Sequence, residues 1–281
     1  MNKTVNKRSI WGIFLQIFCF FAPLAQAAKL AIVIDDIGYR QKEDNAIYAL
    51  PKEVSVAIIP VAPNATARAK QAFSQNRDIL IHLPMQPKNS SLPIEREALL
   101  VGMNDEQVTR LIESARHKVP YAIGLNNHMG SRATTDKATM QQLMKTLAEE
   151  KLFFLDSKTA GDSVAVKTAQ AFGVKALERH IFLDDEDSLA NTQQQFQRAI
   201  DYARRHGSAI MIGHPRKHSI TALQQGLATL PTDIQLVSIG SLWREEEEPI
   251  KPFILQFEME AALTSQAPFH AIPLLRGVPK E

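Results

Sequence analysis

Aspartate and histidine recur in this sequence at the C-terminal ends of short apolar runs. The residues found there are Asp35-Asp36, His82, Asn126-Asn127-His128, Asp156-Ser157, Asp184-Asp185 and His214. Carboxylates and imidazoles that meet in one cleft can hold a divalent cation, and an Asp with two His favours zinc. Such an ion polarises a carbonyl and acidifies bound water. Two adjacent acids suit a division of labour, one toward the ion and the other toward a proton. Each residue also has a plainer use. Asp35 or Asp156 could cap a following helix. His82, within Ile-Leu-Ile-His-Leu-Pro-Met, could be a core histidine satisfied by backbone. The small polar run at 126–131 and the Gly213-His214-Pro215 step could be turns, although a turn leaves His128 unexplained. His117, His180, His206, His218 and His270 lie in polar surroundings and read as solvated surface.

The runs that must position these residues are 30–34, 54–59, 79–83, 122–125, 152–155, 181–183, 209–212 and 236–239. Each is short and apolar on both faces, the pattern of a buried parallel strand. Helical spacing fills the intervals. Asn104 caps a helix over Asp105–Lys118 with Val108, Leu111, Ile112 and Ala115 on one face, and Thr135 or Asp136 starts another carrying Met140, Leu143, Met144 and Leu147. Residues 191–205 and 219–230 read the same way. Strand and helix alternating over most of the chain imply an α/β fold with a parallel sheet. In α/β barrels the C-terminal strand ends form the active-site face, so the acids and imidazoles should converge.

The 281 residues are 45% apolar and 22% charged with a formal net charge of +2, which argues against disorder and against a nucleic-acid partner. Lys3, Lys7 and Arg8 precede an uncharged apolar run at 10–24 and an Ala25-Gln26-Ala27 step. These are the parts of a signal peptide, expected over 1–27. The run is shorter than the roughly 20 residues of a bilayer span, so no stable membrane span is expected after cleavage. Removing three cations and no acid takes the formal charge from +2 to −1, and Cys19, the single cysteine, leaves as well. A metal site in the remainder must use His, Asp, Glu or amide oxygen. The domain reading is therefore a barrel over 28–243 and a Glu- and Pro-rich tail over 244–281, with a Glu run at 245–248 and five of the 15 prolines.

The motifs Ile34-Asp35-Asp36-Ile37-Gly38, Ile81-His82-Leu83-Pro84-Met85, Gly124 to Ser131, Phe154-Leu155-Asp156-Ser157 and Ile212-Gly213-His214-Pro215 follow one another in a telling order. Along 29 to about 242 the sequence resembles the divergent polysaccharide deacetylases, relatives of the NodB-type carbohydrate esterases. The resemblance implies a distorted (β/α) barrel of about seven parallel strands. It also implies metal-dependent removal of acetyl groups from an envelope polysaccharide or amino-sugar polymer in the periplasm, with an acetylated polysaccharide or peptidoglycan-type glycan as partner. By residue, it makes Asp35 the catalytic base, Asp36 and His82 ligands of a divalent ion such as zinc, His214 the acid, and Asp156 the carboxylate that tunes His214. The NodB-type enzymes carry a second ligand histidine four positions after the first, where this sequence has Gln86. His128 is the expected replacement ligand, and Arg132 the candidate for the arginine that orients the base. The Gln86 departure motivates an alternative, a non-catalytic glycan-binding protein that keeps the barrel. A glycosidase using Asp35, Asp156 and Asp184 is a third reading that leaves the histidines idle.

Overall fold

The protein, a computed structural model, is described here for residues 27–244. The expected leader, apart from Ala27, and the expected tail beyond Arg244 lie outside the described residues. Among the described residues nine strands form, all paired in parallel: β1 (Ala28–Ile37), β2 (Ser55–Ile58), β3 (Ile79–Met85), β4 (Gly124–Met129), β5 (Phe153–Asp156), β6 (Ala176–Glu178), β7 (Ile181–Phe182), β8 (Ser208–Gly213) and β9 (Ile234–Val237). Their order is β6-β5-β4-β3-β2-β1-β8-β7, with β9 beside the first residues of β1. Parallel neighbours need crossovers, and helices supply them. These are α1 (Gln41–Tyr48), α2 (Ala65–Ser74), α3 (Asp105–Lys118), α4 (Lys137–Glu149), α5 (Ala165–Ala171), α6 (Leu189–His206) and α7 (Lys217–Ala228); α8 (Ile239–Arg244) follows β9. Among the described residues no helix is long and apolar enough to cross a membrane.

β6 and β7 stand at opposite ends of the sheet order, yet only Arg179 and His180 separate them. One passage of chain thus pairs first with β5 and then with β8, joining the two ends of the sheet. Counted as a single stave, it is the seventh around a distorted (β/α) barrel, with β9 off the path. His180 sits at this seam. Its Nδ1 accepts the Ile210 N–H at 2.8 Å and its ring stacks on Tyr202, so it is not the solvated residue its polar neighbours suggest. His117 and His206 are exposed and His218 pairs with Asp187 at the surface, as expected; His270 lies outside the described residues.

α3, α4 and α6 begin where a side chain satisfies a free N–H group. Asn104 and Gln107 bond reciprocally at 2.9 Å in a capping box on α3, Asp136 accepts the Thr139 N–H at the start of α4, and Ser188 caps α6. Each lays an apolar stripe on the sheet, with Val108, Leu111, Ile112 and Ala115 buried on α3.

Side chains alternate along a strand, and this parity sorts the core. Leu30, Ile32 and Ile34 face the helices and join the large outer cluster. Ala31 and Val33 point into the barrel, where they pack with Ala57, Leu80, Phe153, Leu155, Ile210 and Ile212. Continued toward the C-terminal mouth, the inward series turns polar: Asp35 above Val33, His82 above Leu80, and His214 above Ile212. By the same alternation Asn126 and His128 follow Gly124, and Asp184 follows Phe182. The apolar interior ends where the candidate site begins.

Candidate metal centre

Asp35 and Asp36 reach the barrel mouth together because β1 is irregular there. Ile34 pairs with Val56 and Ile37 with Ile58, so β1 takes three steps where β2 takes two. The extra residue makes a β-bulge. Asp36 adopts a left-handed backbone, φ 58°, which costs a non-glycine residue about 1–2 kcal/mol. Strict parity would send Asp36 toward the helices. The bulge instead brings it beside Asp35, so that Asp36 Oδ1 lies 3.3 Å and Asp35 Oδ2 3.6 Å from His82 Nε2.

Asp36 Oδ1 is also 3.1 Å from His128 Nδ1, and the two ring nitrogens are 3.1 Å apart. The three atoms come from one sheet, on β1, β3 and β4, with β2 between the first two. In a tetrahedral shell of N and O ligands at about 2.0–2.1 Å, neighbouring ligand atoms stand about 3.3 Å apart, so the separations suit a small divalent ion. Asp36 Oδ1 is buried and meets no donor in hydrogen-bond geometry. A carboxylate oxygen in that state, flanked by two imidazole nitrogens, fits a cation site.

A second layer orders the first. His82 Nδ1 is 2.9 Å from Asn126 Oδ1, and the Asn126 amide donates to Asp35 Oδ1 at 2.8 Å and to Ser157 Oγ at 3.3 Å. His128 Nε2 is 3.6 Å from Glu95 Oε1, a carboxylate on the long segment between β3 and α3 whose Oε2 is buried without a partner. Across the mouth, His214 Nε2 lies 3.8 Å from Asp36 Oδ2. Its Nδ1 is 3.0 Å from Asp184 Oδ1, and Asp184 Oδ2 accepts the Ser219 hydroxyl and the His214 N–H.

Electrostatics separate the two acids. Burial raises the Asp35 carboxyl above its ordinary range, and the opposing pulls of His82, His214 and Asn126 do not restore it. Burial acts on Asp36 too, but the adjacent imidazoles of His128 and His82 hold its carboxyl well below the usual carboxylate range. Burial opposes charge on His82, yet Asp35 and Asp36 push it up to about 9. Burial likewise opposes charge on His214, and Asp184 raises it. The mouth of the barrel favours positive charge.

The family model described as divergent polysaccharide deacetylase matches residues 32–243. The chain belongs to this family. An uncharacterised protein of Haemophilus influenzae is 58% identical over 254 residues, 90% of each chain. The uncharacterised protein YibQ of Escherichia coli is 46% identical over 221 residues, 79% of this chain and 69% of that one. The fold is shared with the crystal structure of the uncharacterised protein ATU2773 from Agrobacterium tumefaciens, TM-score 0.74 at 22% identity, covering 77% of this chain and 89% of that one.

Within this divergent deacetylase chain two expected roles fall differently, those of Asp156 and Arg132. Asp156 does not meet His214. It shares the outward parity of Phe154, and its carboxylate accepts the Ser163 hydroxyl and the Lys158 N–H at 2.6 and 2.7 Å. The carboxylate on His214 is Asp184, whose inward parity aims it at the mouth. Gln86 is turned away from the ion site, its Oε1 accepting the Val101 N–H at 2.9 Å, while His128 stands with Asp36 and His82. Arg132 is exposed; the arginine whose charge reaches Asp35 is half-buried Arg179, which donates to the Ser157 and Lys158 carbonyls. The sequence assigns no role to Asn126, Glu95 or Arg179. Only Asn126 had a signal there, as a polar residue at an inward position beside His128.

Proposed function

We propose that this chain is a metal-dependent hydrolase that removes acetyl or other acyl groups from an envelope glycan in the periplasm. The observation that carries this reading is the close trio of Asp36, His82 and His128 set between buried Asp35 and the Asp184–His214 pair. Family membership supports the reaction class, and the charge pattern of 1–27 supports export. A divalent cation held by the trio, zinc by the chemistry of its donors, would polarise the acyl carbonyl and make water more acidic.

The chain's own residues divide the proton work. Asp35 takes the proton from attacking water: its Oδ1 is engaged by Asn126, its Oδ2 faces the site, and a carboxyl raised by burial is a better base than a solvated one. Asp184 accepts the His214 Nδ1–H and so turns Nε2 toward the mouth. His214, raised by that partner, holds a proton for the leaving amine or alcohol. Asn126 keeps the proton of His82 on Nδ1, which leaves Nε2 free as a ligand.

The test is metal content by mass spectrometry together with acetate release from peptidoglycan fragments and chito-oligosaccharides. About one divalent ion per chain is expected, with loss of the ion and of acetate release in Asp36→Ala. Metal-free native protein, or acetate release unchanged in that variant, overturns the reading.

A further inference from the structure

The mouth of the barrel is cationic on one rim. A cavity of about 250 Å³ is lined by Asp36, Tyr39, Arg40, His214, Pro215 and Arg216. Arg40 follows β1 and Arg216 follows β8; these strands are neighbours, so their loops bring both arginines to the lining of one cavity. Arg216 is partly engaged, with Nη1 donating to the Asp184 carbonyl at 2.9 Å and Nε 3.9 Å from Asp184 Oδ2. Among the described residues no carboxylate pairs with the Arg40 guanidinium. Asp36, the one acid in the lining, already faces His82, His128 and His214. A larger hollow of about 630 Å³ shares Tyr39 and continues past Thr66 and Glu95 to Lys118. The Tyr39 ring, 44% exposed, thus stands where the two hollows meet.

We propose that the substrate carries an anionic group, carboxylate or phosphate, on or next to the acylated sugar, and that Arg40 and Arg216 bind it. This deepens the deacylase reading and rests on it for the position of the acyl group. The guanidinium fork matches the planar oxygens of a carboxylate or phosphate. A neutral glycan leaves the Arg40 charge without a partner in the cavity, whereas an anion beside the leaving group meets two. With the chain's formal charge near zero, the attraction is local to this rim.

The experiment compares three acetylated probes: a neutral chito-oligosaccharide, a peptidoglycan tetrasaccharide bearing lactyl carboxylates, and a chito-oligosaccharide bearing a phosphate. The kcat/KM ratio of an acidic probe over the neutral one is expected at about tenfold to a hundredfold, falling toward one in Arg40→Gln. Titration calorimetry with the deacetylated forms of the same oligosaccharides reads binding without chemistry and should show the same preference. Whichever acidic probe is favoured identifies the anion. Equal kcat/KM and equal Kd for acidic and neutral probes, or a preference unchanged in Arg40→Gln, overturns the proposal. If an Arg40-dependent binding preference is found and no probe yields acetate, the anion site stands and the deacylase reading falls. If acetate comes equally from neutral and acidic probes, the reverse holds.

Discussion

Asn126 couples His82 to Asp35. Its amide oxygen lies 2.9 Å from His82 Nδ1 and its amide nitrogen 2.8 Å from Asp35 Oδ1, so one planar group sets the tautomer of a candidate ligand and the orientation of a candidate base. Asn126→Ala leaves both partners buried and unsatisfied. Zinc affinity, measured by competition with a chromogenic chelator, is expected to fall about 10–100-fold. Stability in urea should fall by roughly 1–3 kcal/mol.

Asp184 and Asp156 are both buried acids at strand ends, and they separate in experiment by parity. Asp184→Asn removes the negative charge beside His214 Nδ1 and puts an amide donor among the groups that Asp184 accepts from, and kcat for acetate release is expected to fall by about 10²–10⁴ with zinc content retained. Asp156→Asn perturbs the loop after β5, where Ser163 and the Lys158 N–H are its partners, so its effect should appear in the urea midpoint with kcat within about tenfold of the parent. A reversed pattern assigns the tuning of His214 to Asp156 after all.

Gln86→His places an imidazole where the NodB-type enzymes carry a ligand. No gain in zinc affinity is expected, because His128 already stands in the trio and the Gln86 side chain points to the Val101 N–H. The loss of that bond should lower stability by about 1 kcal/mol. A tighter zinc complex in the variant would show that position 86 still addresses the ion.

His180 gives a pH prediction. Burial lowers its pKa from 6.5, and its Nδ1 must stay unprotonated to accept the Ile210 N–H. The unfolded chain binds a proton near pH 6.5 that the folded chain resists, so this residue's contribution to stability is present above 6.5 and declines as pH falls below it. His180→Asn, neutral throughout, should lose less stability than the parent between pH 7.5 and about 5.5 in urea titrations. Identical losses would remove His180 from the acid response.

The sequence disclosed the barrel because fully buried strands are written as continuous apolar runs, and α3 and α4 were legible from their caps and stripes. β6 was not: three half-buried residues, Ala176–Glu178, carry no pattern of their own and form a strand because β5 offers an edge. α1, α2 and α5 are short, and their apolar spacing is too brief to register. The site followed the same logic. Asp35, Asp36, His82, His128 and His214 could be read from position, since a polar residue at the end of a buried strand has few other uses. The partner of His214 could not, because the choice between Asp156 and Asp184 turns on which face of its strand each occupies. Glu95 was out of reach, since it comes from a loop whose path no local rule fixes.

The bulge at Asp36 makes the two acids hostages to a single count of residues. A deletion of one residue between Ile34 and Ile37 would restore even pairing with β2 and leave one carboxylate at the mouth where the native strand presents two. Substitutions here can be graded one at a time, but length cannot. Within this stretch the chain's tolerance for change is set less by which side chains it carries than by how many.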